Sequence, residues 1–147
     1  MQNQYLYHYG VKGMRWGVRK ERRAQRKQYR TEESDVMRKF RKVTNSAMDQ
    51  DYNRRRHANN SYYAQTNKNK QKQAELDAKV QKSLDEYHKS TEVYDKSKAE
   101  LIDIGRKFCD RYSNERVSEL FGSKSETVGN RANIERFINM LEQGVIQ

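Results

Sequence analysis

The residues of this chain that could do chemistry are few and far apart. Cys109 is the single thiol, and His8, His57 and His88 are its three imidazoles, tens of residues from one another with no CxxC or HxxxH spacing. Metal sites need such side chains clustered, and a thiol nucleophile needs a base beside it. Neither has local support, so Cys109 is expected to be an inert structural thiol, with no metal or other cofactor. Tyr62-Tyr63 suggests the tyrosine pairs of strand-transfer enzymes, but the accompanying His pair is missing, and stacking or packing is the simpler role. Gly10, Gly13 and Gly17 beside Lys12 follow neither the G-x-x-x-x-G-K-[ST] order of a phosphate loop nor the strand context that G-x-G-x-x-G requires. Asp85-Glu86, Glu92 and Asp95 read as the wet face of a charged helix. An enzyme is therefore not expected.

Charge is the stronger signal. The net charge is +11, and it is concentrated early: residues 1–30 hold nine Lys/Arg and one acid, 31–72 ten and five, and 73–147 twelve and fourteen. Such asymmetry favours an anionic partner for the first half. Arg15, Arg19, Lys20, Arg22, Arg23, Arg26, Lys27 and Arg30, with Trp16 and Tyr29 at hand for stacking, have the composition of a DNA- or RNA-binding arm. Binding of that kind is independent of sequence and steeply salt-sensitive. The plainer reading is a solubilising arm. A membrane surface fits less well, because residues 19–30 contain no Leu, Ile, Val or Phe to enter lipid. No apolar run reaches signal-peptide or membrane-span length.

The elements that would position these groups are helices. Val, Ile, Leu and Phe number 24 of 147, too few for a compact ball and suited to extended amphipathic helices. Residues 20–30 are good helix formers and make a basic arm. Thr31 and Ser34 can cap a fresh helix over 31–48, with Val36, Met37, Phe40, Val43, Ala47 and Met48 on one face. Residues 49–75 lack large aliphatic side chains and read as a polar linker or an exposed helix. A long helix over 76–112 carries a stripe that includes Leu84, Tyr87, Thr91, Tyr94, Lys98, Leu101, Gly105, Phe108 and Tyr112 at steps of three and four. That is the rhythm of a helical hairpin or of a coil joining two copies of the chain. A short helix over 114–121, capped by Ser113 and stopped at Gly122, precedes a last helix over 130–143 with Ile134, Phe137, Ile138 and Leu141 on one face. The fold class is mainly α, with elongated helices and a small C-terminal helical cluster.

Residues 1–19 differ from all of this. His8-Tyr9-Gly10-Val11-Lys12-Gly13-Met14-Arg15-Trp16-Gly17-Val18-Arg19-Lys20 holds three of the seven glycines and the one tryptophan. The glycines suggest tight turns, so an irregular hook is expected, with His8, Tyr9, Gly10, Val11, Gly13, Met14, Trp16, Gly17 and Arg19 meeting a partner. The competing reading folds Trp16 and Tyr7 back onto the chain's own helices. The run resembles a short motif, H-x-G-[IV]-x-G-x-x-W-G-[IV]-R-[RK], found near the ends of otherwise unrelated proteins of tailed bacteriophages and prophages. The resemblance covers about 13 of 147 residues. It implies association with the virion or its assembly, docking onto a capsid or other structural protein, and residence in the host cytoplasm during assembly and then in the virion. It implies nothing about residues 31–147.

Overall fold

The computed structural model describes the backbone of residues 2–144 and the side chains of residues 17–144. Four helices follow one another: α1 (Gln2–Thr66), α2 (Lys70–Arg111), α3 (Asn114–Phe121) and α4 (Glu126–Glu142). There is no strand among the described residues. The Gly/Trp-rich hook, His8 through Trp16, lies outside the residues whose side chains are described.

The segmentation differs from the expectation. Thr31 does not start a new helix; its hydroxyl donates to Lys27 O (3.0 Å), four residues back on the same helix. The stretch 49–66 is helix, the exposed-helix alternative, and the linker shrinks to residues 67–69. Charge and polarity do not break a helix; Pro and capping geometry do, and the chain has no Pro. The turn itself is built from asparagines. Asn67 Oδ1 accepts from the Asn69 backbone N–H (3.1 Å), and Asn69 Oδ1 accepts from Gln71 N–H (3.0 Å), capping the start of α2. Gln73 Nε2 reaches back to Ala64 O (3.2 Å), satisfying a carbonyl in the last turn of α1.

The chain divides into two compact units, one drawn from the residues up to Val36 and from Gly105 onward, the other comprising Met37–Ile104. In the second, α1 and α2 run antiparallel, with partners that descend along one helix as they ascend the other: Lys39 with Glu100 (2.7 Å), Gln50 with Thr91 (3.1 Å), Arg56 with Glu86 (2.5 Å), His57 with Ser83 (3.3 Å). The seam is made of small side chains, and Ser46, Ser83 and Ser97 are buried in it beside Val43 and Leu101. Each buried hydroxyl donates to a carbonyl three or four residues back, so none is left unsatisfied. In this unit the α2 stripe faces α1 of the same chain, through Thr91 and the buried Leu101. The hairpin alternative describes this packing.

The first unit holds most of the grease. Tyr29, fully buried, packs its ring against Phe108 (5.2 Å between centroids), Tyr112 (4.9 Å, edge-on) and Phe121 (5.1 Å). Val117 and Leu120 of α3 and Ile134, Ile138 and Leu141 of α4 complete the core. Ser113 and Gly122 bound α3 as its sequence implies. The last helix begins four residues earlier than expected, because Ser125 accepts from Thr127 N–H (3.2 Å) and caps it there, leaving Gly129 inside the helix.

At Gly105, α2 packs directly against α4. A Cβ at this position would lie 2.5 Å from Ile138 Cδ1 and 2.8 Å from its Cγ1, and Ile138 is itself buried. Alanine in a helix is worth about 1 kcal/mol over glycine, whereas overpacking a core costs about 1–3 kcal/mol. Gly105→Ala is therefore expected to lower stability, and adding Ile138→Val should recover part of the loss. A urea-melt double-mutant cycle reads this; additive effects would refute the contact.

Candidate partner and nucleic-acid interface

The basic stretch of α1 splits into two sets that the sequence does not distinguish. Arg22, Arg26 and Arg30, four residues apart, share one helix face and turn toward α3. A guanidinium N–H of Arg22 donates to Glu119 O, and Arg26 Nε donates to Leu120 O (2.6 Å). These carbonyls belong to the last turn of α3, where no intrahelical partner exists and the negative end of the helix dipole collects. Arg26 and Arg30 also lie over the Phe121 ring, 5.6 and 5.8 Å from its centroid. These three residues, read in the sequence as phosphate ligands, hold α3 in place. Tyr29, read as a stacking surface for bases, is sealed in the core, and its ring is closed to any ligand.

In the other set Lys20, Arg23 and Lys27 lie further around the helix from Tyr29, and Arg19 falls in line with Arg26 and Arg30. The side chains of Arg19, Lys20, Arg23 and Lys27 are exposed and make no hydrogen bond or ion pair with the described residues. Along this face runs an open groove of about 580 Å³ lined by Arg23, Arg26, Lys27 and Arg30, with Thr31, Ser34 and Asp35. A second groove, about 330 Å³, lies between α1 and α3, lined by Val18, Glu21, Arg22, Gln25, Arg116, Glu119 and Leu120. Val18 stands exposed at its edge. Of the expected motif residues, Gly17 and Arg19 are described; Gly17 has open space where a Cβ would be. The side chains of His8, Tyr9, Val11, Met14, Arg15 and Trp16, and the surroundings of Gly10 and Gly13, lie outside those described.

Arg131 is a structural cation of this unit that the sequence did not signal. It is buried, with Nε donating to Tyr112 O (2.7 Å), just past the end of α2, and Nη2 to Cys109 O (3.0 Å), in its last turn. Its Nη1 reaches Asn114 Oδ1 (3.3 Å) and pairs with Glu135. The i,i+4 spacing of Arg131 and Glu135 was visible; that the guanidinium is aimed at the end of another helix was not.

Two titratable groups carry the imprint of this core. Burial pushes the Cys109 thiol up, outweighing the lowering effect of Arg131. Burial also raises Glu33, against a hydrogen bond from Tyr29 and the charge of Arg30, which favour its ionised form. The low thiolate fraction fits a structural cysteine.

A model of a family of unknown function (DUF7211) matches residues 2–23. Neither a curated protein nor a solved structure matches the chain.

Arg131→Ala leaves two buried carbonyls without donors, each worth about 1–3 kcal/mol, and should destabilise the protein by about 2–4 kcal/mol, with little rescue by Arg131→Lys because one ammonium cannot reproduce the fork. Thermal or urea melts decide this; a loss within 0.5 kcal/mol would remove the capping role. Native Cys109 should react with a maleimide at pH 7 at least tenfold more slowly than in the urea-unfolded chain, and equal rates would contradict its burial.

Proposed function

We propose that this chain is a non-enzymatic protein of a tailed-phage particle or of its assembly, in which the segment His8–Lys20 docks onto a structural component and brings the helical units with it. The observation that carries the reading is where the family match falls. It covers residues 2–23, the stretch containing the Trp/Gly motif, and ends just as the arginines that hold α3 begin. A docking tag shared between chains with different bodies would have that extent. In this reading Trp16 and Met14 enter a pocket on the partner, and Arg15 and Arg19 meet acids at its rim. The exposed Val18 beside the groove between α1 and α3 would extend the contact. The chain would occupy the host cytoplasm during assembly and the virion afterwards.

A second reading is favoured by the free basic face. Arg19, Lys20, Arg23 and Lys27 are exposed on one side of α1, and a packaging factor or regulator would use them against the phosphates of DNA or RNA.

The two readings separate when the variants spare Arg22, Arg26 and Arg30. For docking, Trp16→Ala should abolish incorporation into particles, scored by immunoblot of purified virions, while a Lys20→Gln/Arg23→Gln/Lys27→Gln variant is incorporated normally. The reverse pattern, with loss of salt-sensitive binding to mixed-sequence DNA in the charge variant, would select the packaging reading. Normal incorporation of Trp16→Ala would defeat the docking proposal.

A further inference from the structure

The outer face of α1 in the Met37–Ile104 unit carries a set of exposed side chains with no role in the hairpin. Arg41, Asn45, Met48, Tyr52, Arg55, Asn59 and Tyr62 follow at alternating steps of four and three, so they form one stripe on the helix. The seam residues Val43, Ser46, Gln50 and His57 occupy the opposite side of the same helix, so the stripe is turned away from α2. Its large members are well out in solvent: Met48 is 67% exposed, Tyr52 65%, Tyr62 62% and the neighbouring Tyr63 63%. Tyr62 and Tyr63 meet edge to face, 6.0 Å between centroids, as an exposed aromatic pair. By contrast, the rings of Tyr29, Phe108 and Tyr112 are buried.

Charge identifies the occupant. Residues 37–66 contain seven Lys/Arg and two acids; Glu100 meets Lys39 and Lys42, and Glu86 meets Arg56, on the α2 side, which leaves Arg41 and Arg55 on the stripe itself. Asp51 is shared between Arg54 (2.7 Å) and Arg55 (2.8 Å), so one carboxylate faces two guanidinium groups. Arg41 is exposed at the other end of the stripe. A second copy pairing through the same face would bring Arg41 and Arg55 against the same arginines, a repulsive arrangement. A polyanion with flat apolar groups meets both features at once: tyrosine faces take unpaired bases, and the flanking cations take phosphates. Duplex nucleic acid keeps its bases stacked inside and has no use for the rings.

We infer that the Met48/Tyr52/Tyr62/Tyr63 face of α1, flanked by Arg41 and Arg55, is a binding site for single-stranded nucleic acid. From residue 41 to residue 63 the helix extends roughly 33 Å at 1.5 Å per residue, room for a short run of nucleotides. The site is separate from Lys20, Arg23 and Lys27 and does not depend on docking by the N-terminal segment.

The test is fluorescence anisotropy of a labelled oligo(dT) 20-mer with the full-length protein at low salt, with a duplex of equal length as competitor. The wild type should bind the single strand with an affinity that falls as salt rises, and the duplex should compete poorly. Tyr52→Ala/Tyr62→Ala/Tyr63→Ala should weaken binding by about tenfold per ring removed, with an unchanged melting curve because the rings are exposed. The triple Tyr→Phe variant should keep wild-type affinity, since it keeps the stacking faces. No binding by the wild type would overturn the site. So would an unaffected alanine variant alongside a Lys20→Gln/Arg23→Gln/Lys27→Gln variant that fails to bind, because the ligand would then belong to the other basic face. A wild-type dimer in sedimentation that the alanine variant converts to monomer would assign the stripe to self-association instead.

Discussion

Helix ends are the constraint on which the Gly105-onward unit depends. Three helices terminate within it, and two of them, α2 at Arg111 and α3 at Phe121, leave carbonyls that are met by other protein groups. Arginines from other helices supply the donors: Arg131 for Cys109 O and Tyr112 O, Arg22 and Arg26 for Glu119 O and Leu120 O. A guanidinium suits this task because it carries several donors in a fixed plane and matches the negative end of the dipole. The aromatic packing around Tyr29 follows from it. Once α3 is pinned to α1, Phe121 comes against Tyr29, and Arg26 and Arg30 close over the outer face of its ring.

The two units solve the shortage of large apolar residues differently. One concentrates them, placing Tyr29, Phe108, Tyr112, Leu120, Ile134, Ile138 and Leu141 together. The other uses serines and short side chains along a seam and returns each hydroxyl to its own helix. Ion pairs flank that seam: Lys39 and Lys42 with Glu100, Arg56 with Glu86. The Lys39–Glu100 contact holds the carboxyl of Glu100 below the usual range. As surface pairs they fix register more than they add stability. A consequence is that the outer face of α1 is free of structural duty there, and Tyr52, Tyr62 and Tyr63 remain in solvent.

Much of the helix content was legible in the sequence, and the reasons are local. Ser113 and Gly122 bracket a short apolar run and delimit α3 from both ends. The three-and-four spacing of Phe108 and Tyr112 marked the buried stripe of α2. Helix breaks were misread wherever composition stood in for stereochemistry: Thr31 has a capping side chain but bonds back to Lys27, and the polar run 49–66 has no Pro or Gly to end it. Of the candidate site, the existence of a basic face was readable and its division was not. Lys20, Arg23 and Lys27 differ from Arg22, Arg26 and Arg30 only in which side of the helix they occupy, and α3, nearly a hundred residues away, decides which side matters. Tyr29 was misassigned for the same reason, since its partners Phe108, Tyr112 and Phe121 come from distant sequence.

If arginine caps and the Tyr29 cluster make residues 22–30 part of a folded unit, their amides should open only when that unit opens. Native-state hydrogen exchange read by NMR measures this directly. Amides of residues 24–33 should exchange with the same opening free energy as those of 106–112 and 134–141. Exchange of residues 24–33 at the rate of an unfolded peptide, with the other two segments still protected, would show the basic stretch to be a free arm and contradict the account.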